Sequence, residues 1–313
     1  MNPPVNMSVW TGRVDTDEGS RALRWHQAVK SIETASKPGV ALLGFACDEG
    51  VRRNQGRVGA RKGPHAIRQV LAGLALHQTN PIYDAGDVEC AGEKLEQAHA
   101  DYAARISALL RDGHFPVGLG GGHEIAYGTF IGLADHLKQN SPVPPRIGIV
   151  NLDAHFDLRT AAQPNSGTSF LRMADYCRTN GMPYRYCCLG IAEPGNTAAL
   201  FDRASELGAV WCTDTELSGA QQPAALRTFR EFAAEVDFLY LTICLDVLPA
   251  SVAPGVSAPA PRGVPLETIE VLVSEVKQTG KLAAADIAEL NPDFDQDNRT
   301  AKVAARLIYQ ITR

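Results

Sequence analysis

The stretch RIGIVNLDAHFDLR, residues 146–159, changes character half-way. Its first half is almost continuously apolar from Ile147 to Leu152. That is the pattern of a strand covered on both faces. Its second half sets Asp153, His155 and Asp157 at alternate positions. If the strand geometry persists, all three side chains point one way. Two carboxylates converging beside a core strand repel each other and resist burial, at several kcal/mol for each uncompensated charge. A shared cation removes that problem, and Asp with His suits Mn2+, Zn2+ or Fe2+.

Similar apolar runs recur on either side, at 39–46, 81–88, 115–121, 185–192, 209–214, 238–246 and 281–290. Segments with helical periodicity fall between or after most of them, at about 62–76, 94–112, 123–138, 169–180, 197–207, 223–235, 266–279 and 297–312. Alternation of this kind implies parallel pairing through right-handed crossovers. The fold class is therefore α/β, a three-layer αβα domain with a mostly parallel sheet of about eight strands. A single domain spans 1–313, and 1–35, with Trp10 and Trp25, is a peripheral N-terminal extension. Chemistry in such a sheet belongs at the carboxyl ends of the strands.

Bulk properties narrow the function. The net charge of −5, with no basic stripe, argues against a nucleic-acid or membrane-surface partner. No apolar run approaches the roughly 20 residues that span a bilayer. The N-terminus lacks the layout of a secretory signal. Seven scattered cysteines without a C-x-x-C suit a reducing cytoplasm.

Three further strand ends carry polar residues. In GLGGGHEIAYG, Gly120 to Gly122 permit a tight turn before His123. In YLTICLDVLP, residues 240–249, Asp246 is a natural further ligand, and Cys244, two places earlier, faces the same way. In AAADIAEL, residues 283–290, Glu289 sits on the strand itself. Arg52, Arg53 and Arg57 either bind an anionic substrate or form a solvated basic loop.

Together the motifs GGGHEIAYG, NLDAHFDLR, SGTSF, LDVLPASVAPGVSAPAPRGV and DIAELNP, in this order, resemble the ureohydrolase (arginase/agmatinase) superfamily, and most closely its formimidoylglutamase branch. The resemblance implies an arginase-like fold, a homo-oligomer, and two Mn2+ ions held by two His and four Asp. Carried over by position, the ligands are His123, Asp153, His155, Asp157 and Asp246. The sixth position holds Cys244 instead of Asp. A thiolate offers one soft sulfur where a carboxylate offers two oxygens. Three outcomes stay open: a pair weakened at one ion, a single-metal site, or a different metal. The resemblance further implies hydrolysis of N-formimino-L-glutamate, a small-molecule substrate, to L-glutamate and formamide by hydroxide held between the ions. Asp157 is then the proton shuttle, and Glu289 pairs with the cationic amidinium. Arg159 and Arg57 are candidates for the substrate's carboxylates, and Asn165 and Ser166 for further hydrogen bonds. Arginases and agmatinases carry a histidine at the position of Ser166. Another ureohydrolase acting on a guanidino substrate, and a metal-poor non-catalytic paralogue, are the alternatives.

Overall fold

The computed structural model describes residues 5–313. Its strands are β1 (Lys30–Ser31), β2 (Val40–Ala46), β3 (Ile82–Glu89), β4 (Phe115–Leu119), β5 (Ile147–Leu152), β6 (Arg185–Ile191), β7 (Val210–Thr213), β8 (Phe238–Cys244) and β9 (Leu282–Ala288). They form one parallel sheet in the order β1-β3-β2-β4-β9-β8-β5-β6-β7. All eight expected strands are present. The ninth, β1, is a two-residue edge strand too short to carry a readable pattern. It belongs to the segment assigned to the N-terminal extension. That segment lies along the β3 edge, where Trp25 is buried and the Trp10 indole N–H donates to Asp84 Oδ2 at 2.7 Å.

The helices are α1 (Trp25–Ala28), α2 (Glu49–Arg53), α3 (Gly63–Ala72), α4 (Leu95–Arg111), α5 (Ile125–Gln139), α6 (Ser169–Thr179), α7 (Ala198–Glu206), α8 (Gln222–Ala234), α9 (Leu266–Gln278) and α10 (Arg299–Thr312). They cover both faces because the strands are apolar on both. Leu239, Leu241 and Ile243 of β8 join the core that takes in α3, α8, α9 and α10. Tyr240, between them, joins the core of α5, α6 and α7 on the other face. A third cluster seats α4 on Ala41, Leu43 and Phe45 of β2. Burying a large apolar side chain contributes about 1.5–3 kcal/mol, so these two-sided strands are the main source of stability. With every strand parallel, all carboxyl ends emerge on one edge. The adjacent strands β4, β9, β8 and β5 bring four distant stretches of sequence side by side there.

Candidate metal centre

After β4 the backbone threads between the ends of two other strands. Gly120 N–H donates to Ile287 O at 2.7 Å, and Gly121 N–H to Phe45 O at 2.9 Å. A Cβ on Gly121 would stand 1.8 Å from Cys47 O, so only glycine passes. The turn delivers His123 into the crevice. Its Nδ1 lies 3.0 Å from Asp153 Oδ2 and 3.1 Å from Asp157 Oδ2. Its Nε2 lies 3.0 Å from Thr242 Oγ1 on β8.

Asp153, just past β5, presents its other oxygen to the second histidine. Oδ1 accepts the His155 backbone N–H at 2.7 Å and lies 3.5 Å from His155 Nδ1. The same Nδ1 is 3.3 Å from Asp246 Oδ2. Asn151 Nδ2 donates to Asp153 Oδ2 at 3.1 Å and holds the carboxylate in place. Donor atoms of His123, Asp153 and Cys244 fall within 4.8 Å of one another, as do those of Asp153, His155 and Asp246. Asp153 belongs to both groups.

The sequence-based route to this convergence needs correction. Strand geometry does not persist past Leu152, so alternation does not align Asp153, His155 and Asp157. Asp157 reaches the site from a curled loop, with φ at +46°. Cys244 is the last strand residue, whereas Asp246 sits in a 3-10 turn. Both still line one cavity, Cys244 grouped with His123 and Asp246 with His155.

Electrostatics show what the cluster lacks. Burial opposes protonation of His155, yet Asp246 and Asp153 push it up to about 12. His123 is likewise raised well above its usual range against burial, by Asp153 and Asp157. The imidazoles in turn pull the buried Asp153 well below the usual carboxylate range. Burial and Asp153 raise Asp157 and Asp246. Positive charge is demanded between these acids, and without a cation only imidazolium supplies it. Asp246 Oδ1 is buried with no hydrogen-bond partner. Orphaned oxygen, shared carboxylate and borderline nitrogen donors fit divalent cations. Burial, with Asp153 and Asp246 nearby, holds Cys244 as a neutral thiol, and an adjacent dication favours the thiolate.

Glu289 follows β9 with φ at +73°. Its Oε1 accepts the His123 backbone N–H at 2.8 Å, while Oε2 is buried and unpartnered. Burial, then Glu124 and Asp246, push its carboxyl up to about 8. Glu289, Asp157, Arg159 and Ser166 line one cavity of about 300 Å³ with His123, His155, Cys244 and Asp246. Non-glycine residues at positive φ cost of order 1–3 kcal/mol and cluster at functional sites. Three of the five in the described chain, Gln55, Asp157 and Glu289, line this cavity.

Two expected substrate residues are not brought there. Arg57 is committed to structure: Nε donates to Ser257 O at 2.9 Å, Nη2 to Val256 O at 2.7 Å, and its guanidinium lies over Phe294. Asn165 Oδ1 accepts the Gly167 N–H at 3.0 Å as a helix cap, and Asn165 does not line the cavity. Arg52 and Arg53 pair with Glu49 and with Glu93 or Glu96. The sequence reading missed Asn54, Gln55 and Ser257, all in the cavity wall. Asn54 Nδ2 donates to Ser166 Oγ at 3.1 Å. The Asn-Gln-Gly turn composition at 54–56 was the available signal.

A sequence model of the arginase family matches residues 38–312. The chain belongs to the arginase family. Among its arginase-family relatives, the formimidoylglutamase of Ralstonia nicotianae is 53% identical, covering 99% of this chain and 96% of the relative. That of Aeromonas hydrophila is also 53% identical, over 99% and 98%. The crystal structure of the Bacillus subtilis formimidoylglutamase superposes with a TM-score of 0.85 at 23% identity, covering 96% of this chain and 93% of that one. The Trypanosoma cruzi formiminoglutamase crystallised with Mn2+ gives 0.78 at 24%, covering 89% and 95%. At those identities the two structures establish the arginase-family fold.

Proposed function

We propose that the chain is a formimidoylglutamase, which hydrolyses N-formimino-L-glutamate to L-glutamate and formamide. The observation that carries this reading is the buried Asp153, shared between two donor groups beneath the cavity of a chain half identical to named formimidoylglutamases. His123, Asp153 and Cys244 would hold one divalent cation, with Asp157 added from its place beside His123 Nδ1, and Asp153, His155 and Asp246 would hold the other, with Mn2+ favoured by the likeness to the T. cruzi structure. When bound, the pair supplies a water acidic enough to be a nucleophile at neutral pH and stabilises the charge that develops on addition.

The chain's own residues do the rest. Asp157 Oδ2 lies beside His123 at the cavity wall and moves a proton to the departing nitrogen. The free Oε2 of Glu289 faces the amidinium, orienting the formimino carbon. Arg159, exposed at the cavity and without an ion-pair partner among the described residues, meets a substrate carboxylate. Ser166, held by Asn54, adds a hydrogen bond. We further propose a cytoplasmic homo-oligomer. Seven buried free cysteines and the absence of a helix long and apolar enough to cross a membrane, among the described residues, agree with the location. Sedimentation tests the assembly.

The deciding experiment measures formamide release from N-formimino-L-glutamate, and urea release from arginine and agmatine, by protein of known metal content. Formamide without urea is expected. Urea as the main product would make it a different ureohydrolase, and neither product from Mn2+-loaded protein would end the enzymatic reading.

A further inference from the structure

Behind His123, on the side away from the cavity, lies a buried polar cluster that the proposed reaction does not use. Asp286, on β9, is completely buried. Its Oδ2 accepts from Thr129 Oγ1 at 2.6 Å and from Tyr240 Oη at 2.6 Å. Its Oδ1 is buried with no hydrogen-bond partner. Thr242 and Asp286 are register partners on β8 and β9, so their side chains stand together on one face. Among the described residues Thr242 Oγ1 meets one side chain, His123 at Nε2, and the open Oδ1 belongs to its register partner Asp286.

We infer that Asp286, acting through Thr242, is a positioning residue that sets the tautomer and orientation of His123. The inference rests on the metal reading above. A threonine hydroxyl carries one hydrogen. With that hydrogen turned to the carboxylate, Thr242 Oγ1 can only accept from His123 Nε2, 3.0 Å away. Once a cation displaces the Nδ1 proton, Nε2 keeps the one remaining ring hydrogen and Nδ1 is bare on the side of Asp153 and Asp157. Without the acid, the hydroxyl is free to donate to Nε2, which shifts the hydrogen to Nδ1 and blocks a cation there. Partners behind a ligating histidine are worth 10–100-fold in metal affinity. The second histidine has no such relay. His155 Nδ1 faces Asp153 and Asp246, and no hydrogen bond fixes its Nε2 among the described residues. The relay therefore acts on one cation of two.

The test is Mn2+ titration of metal-free protein, read by the spin resonance of free Mn2+, for wild type, Thr242→Val, Thr242→Ser and Asp286→Asn. Thr242→Val should weaken one ion 10–100-fold and leave the other unchanged. Thr242→Ser should restore it, and Asp286→Asn should resemble Thr242→Val. If Asp286→Asn does not fold, the two Thr242 variants decide alone. Wild-type affinities in Thr242→Val, equal loss at both ions, or no rescue by serine would overturn the relay while leaving the metal reading intact. Wild-type protein that binds no Mn2+ would overturn both.

Discussion

Glu289 accepts the backbone N–H of His123 at 2.8 Å. The residue assigned to orient the substrate is thus tied to the chain segment that carries a metal-facing imidazole. Its other oxygen is left free and buried. Glu289→Gln can keep the backbone contact through its amide oxygen but loses the charge. We expect kcat to fall about 10²–10⁴-fold, with Mn2+ content unchanged. Steady-state kinetics with metal analysis checks this. Activity within a few-fold of wild type would remove Glu289 from the mechanism.

Cys244 tests the ligand set. Cys244→Asp places a two-oxygen donor where a buried thiol now sits with His123 and Asp153. Affinity for one Mn2+ should rise at least about tenfold, worth about 1.4 kcal/mol, and formamide release should rise with it. Equal metal content and equal rates would make the thiol a fully adequate ligand.

The two arginines should separate cleanly. Arg159 lines the cavity and pairs with no acid among the described residues, so Arg159→Gln should raise KM about 10-fold or more through the lost charge-assisted contact. Arg57 holds the Val256–Ser257 carbonyls, so Arg57→Ala should lower stability by about 1–3 kcal/mol. Denaturant unfolding of both variants, set beside their KM values, reads the difference. A KM effect for Arg57→Ala without loss of stability would return it to the substrate site.

The metal-free chain should lose stability as pH rises. Burial pushes Glu124 up to about 7, and burial with Glu124 and Asp246 pushes Glu289 up to about 8, from an ordinary 4.5. Despite burial, Asp246 and Asp153 hold His155 at about 12, from 6.5. In each case the folded state keeps a proton that the unfolded chain releases, so stability falls between the two values. For the carboxyls that window runs from 4.5 to about 8, and for His155 from 6.5 to about 12. The melting temperature of metal-free protein should therefore drop between pH 6.5 and about 9. Mn2+ should reverse the slope, because cation binding displaces those protons. A flat profile in the metal-free state would contradict this electrostatic account.

Gly121→Ala should be among the most damaging single changes. Its Cβ would meet the Cys47 carbonyl at 1.8 Å, and backbone must move to admit it. A loss of about 3 kcal/mol or more is expected, seen as low soluble yield or a depressed melting temperature. Wild-type stability would mean that the turn is looser than its packing indicates.

Much of this was legible in the sequence, and the limits have physical causes. Strands buried on both faces announce themselves as apolar runs, which is why the helix–strand alternation and the parallel sheet could be read directly. The edge strand at Lys30–Ser31 could not, because two residues define no period. The residues that converge at the candidate centre could be picked out as residue types at strand ends, but strand alternation is not what brings Asp153, His155 and Asp157 together. Backbone at positive φ, as at Asp157 and Glu289, leaves no trace in the pattern. Arg57 and Asn165 lie outside the cavity wall, which sequence could not tell, because a polar side chain near a site looks the same there whether it is free or already bonded to its own chain. Asn54 and Gln55 enter the site through α2, a helix of five residues hidden in a basic stretch.

The spacing of the centre along the chain has a consequence for biosynthesis. His123 and Glu289 are 166 positions apart and meet only across the middle of the sheet. During synthesis the chain emerges from its N-terminus, so the Asp153–His155 pair is exposed well before Asp246 arrives. A ribosome-bound fragment therefore has partial donor groups and no complete cradle. The donor set is complete only late, after β8 and β9 have slotted between β4 and β5, when the last long-range pairings form.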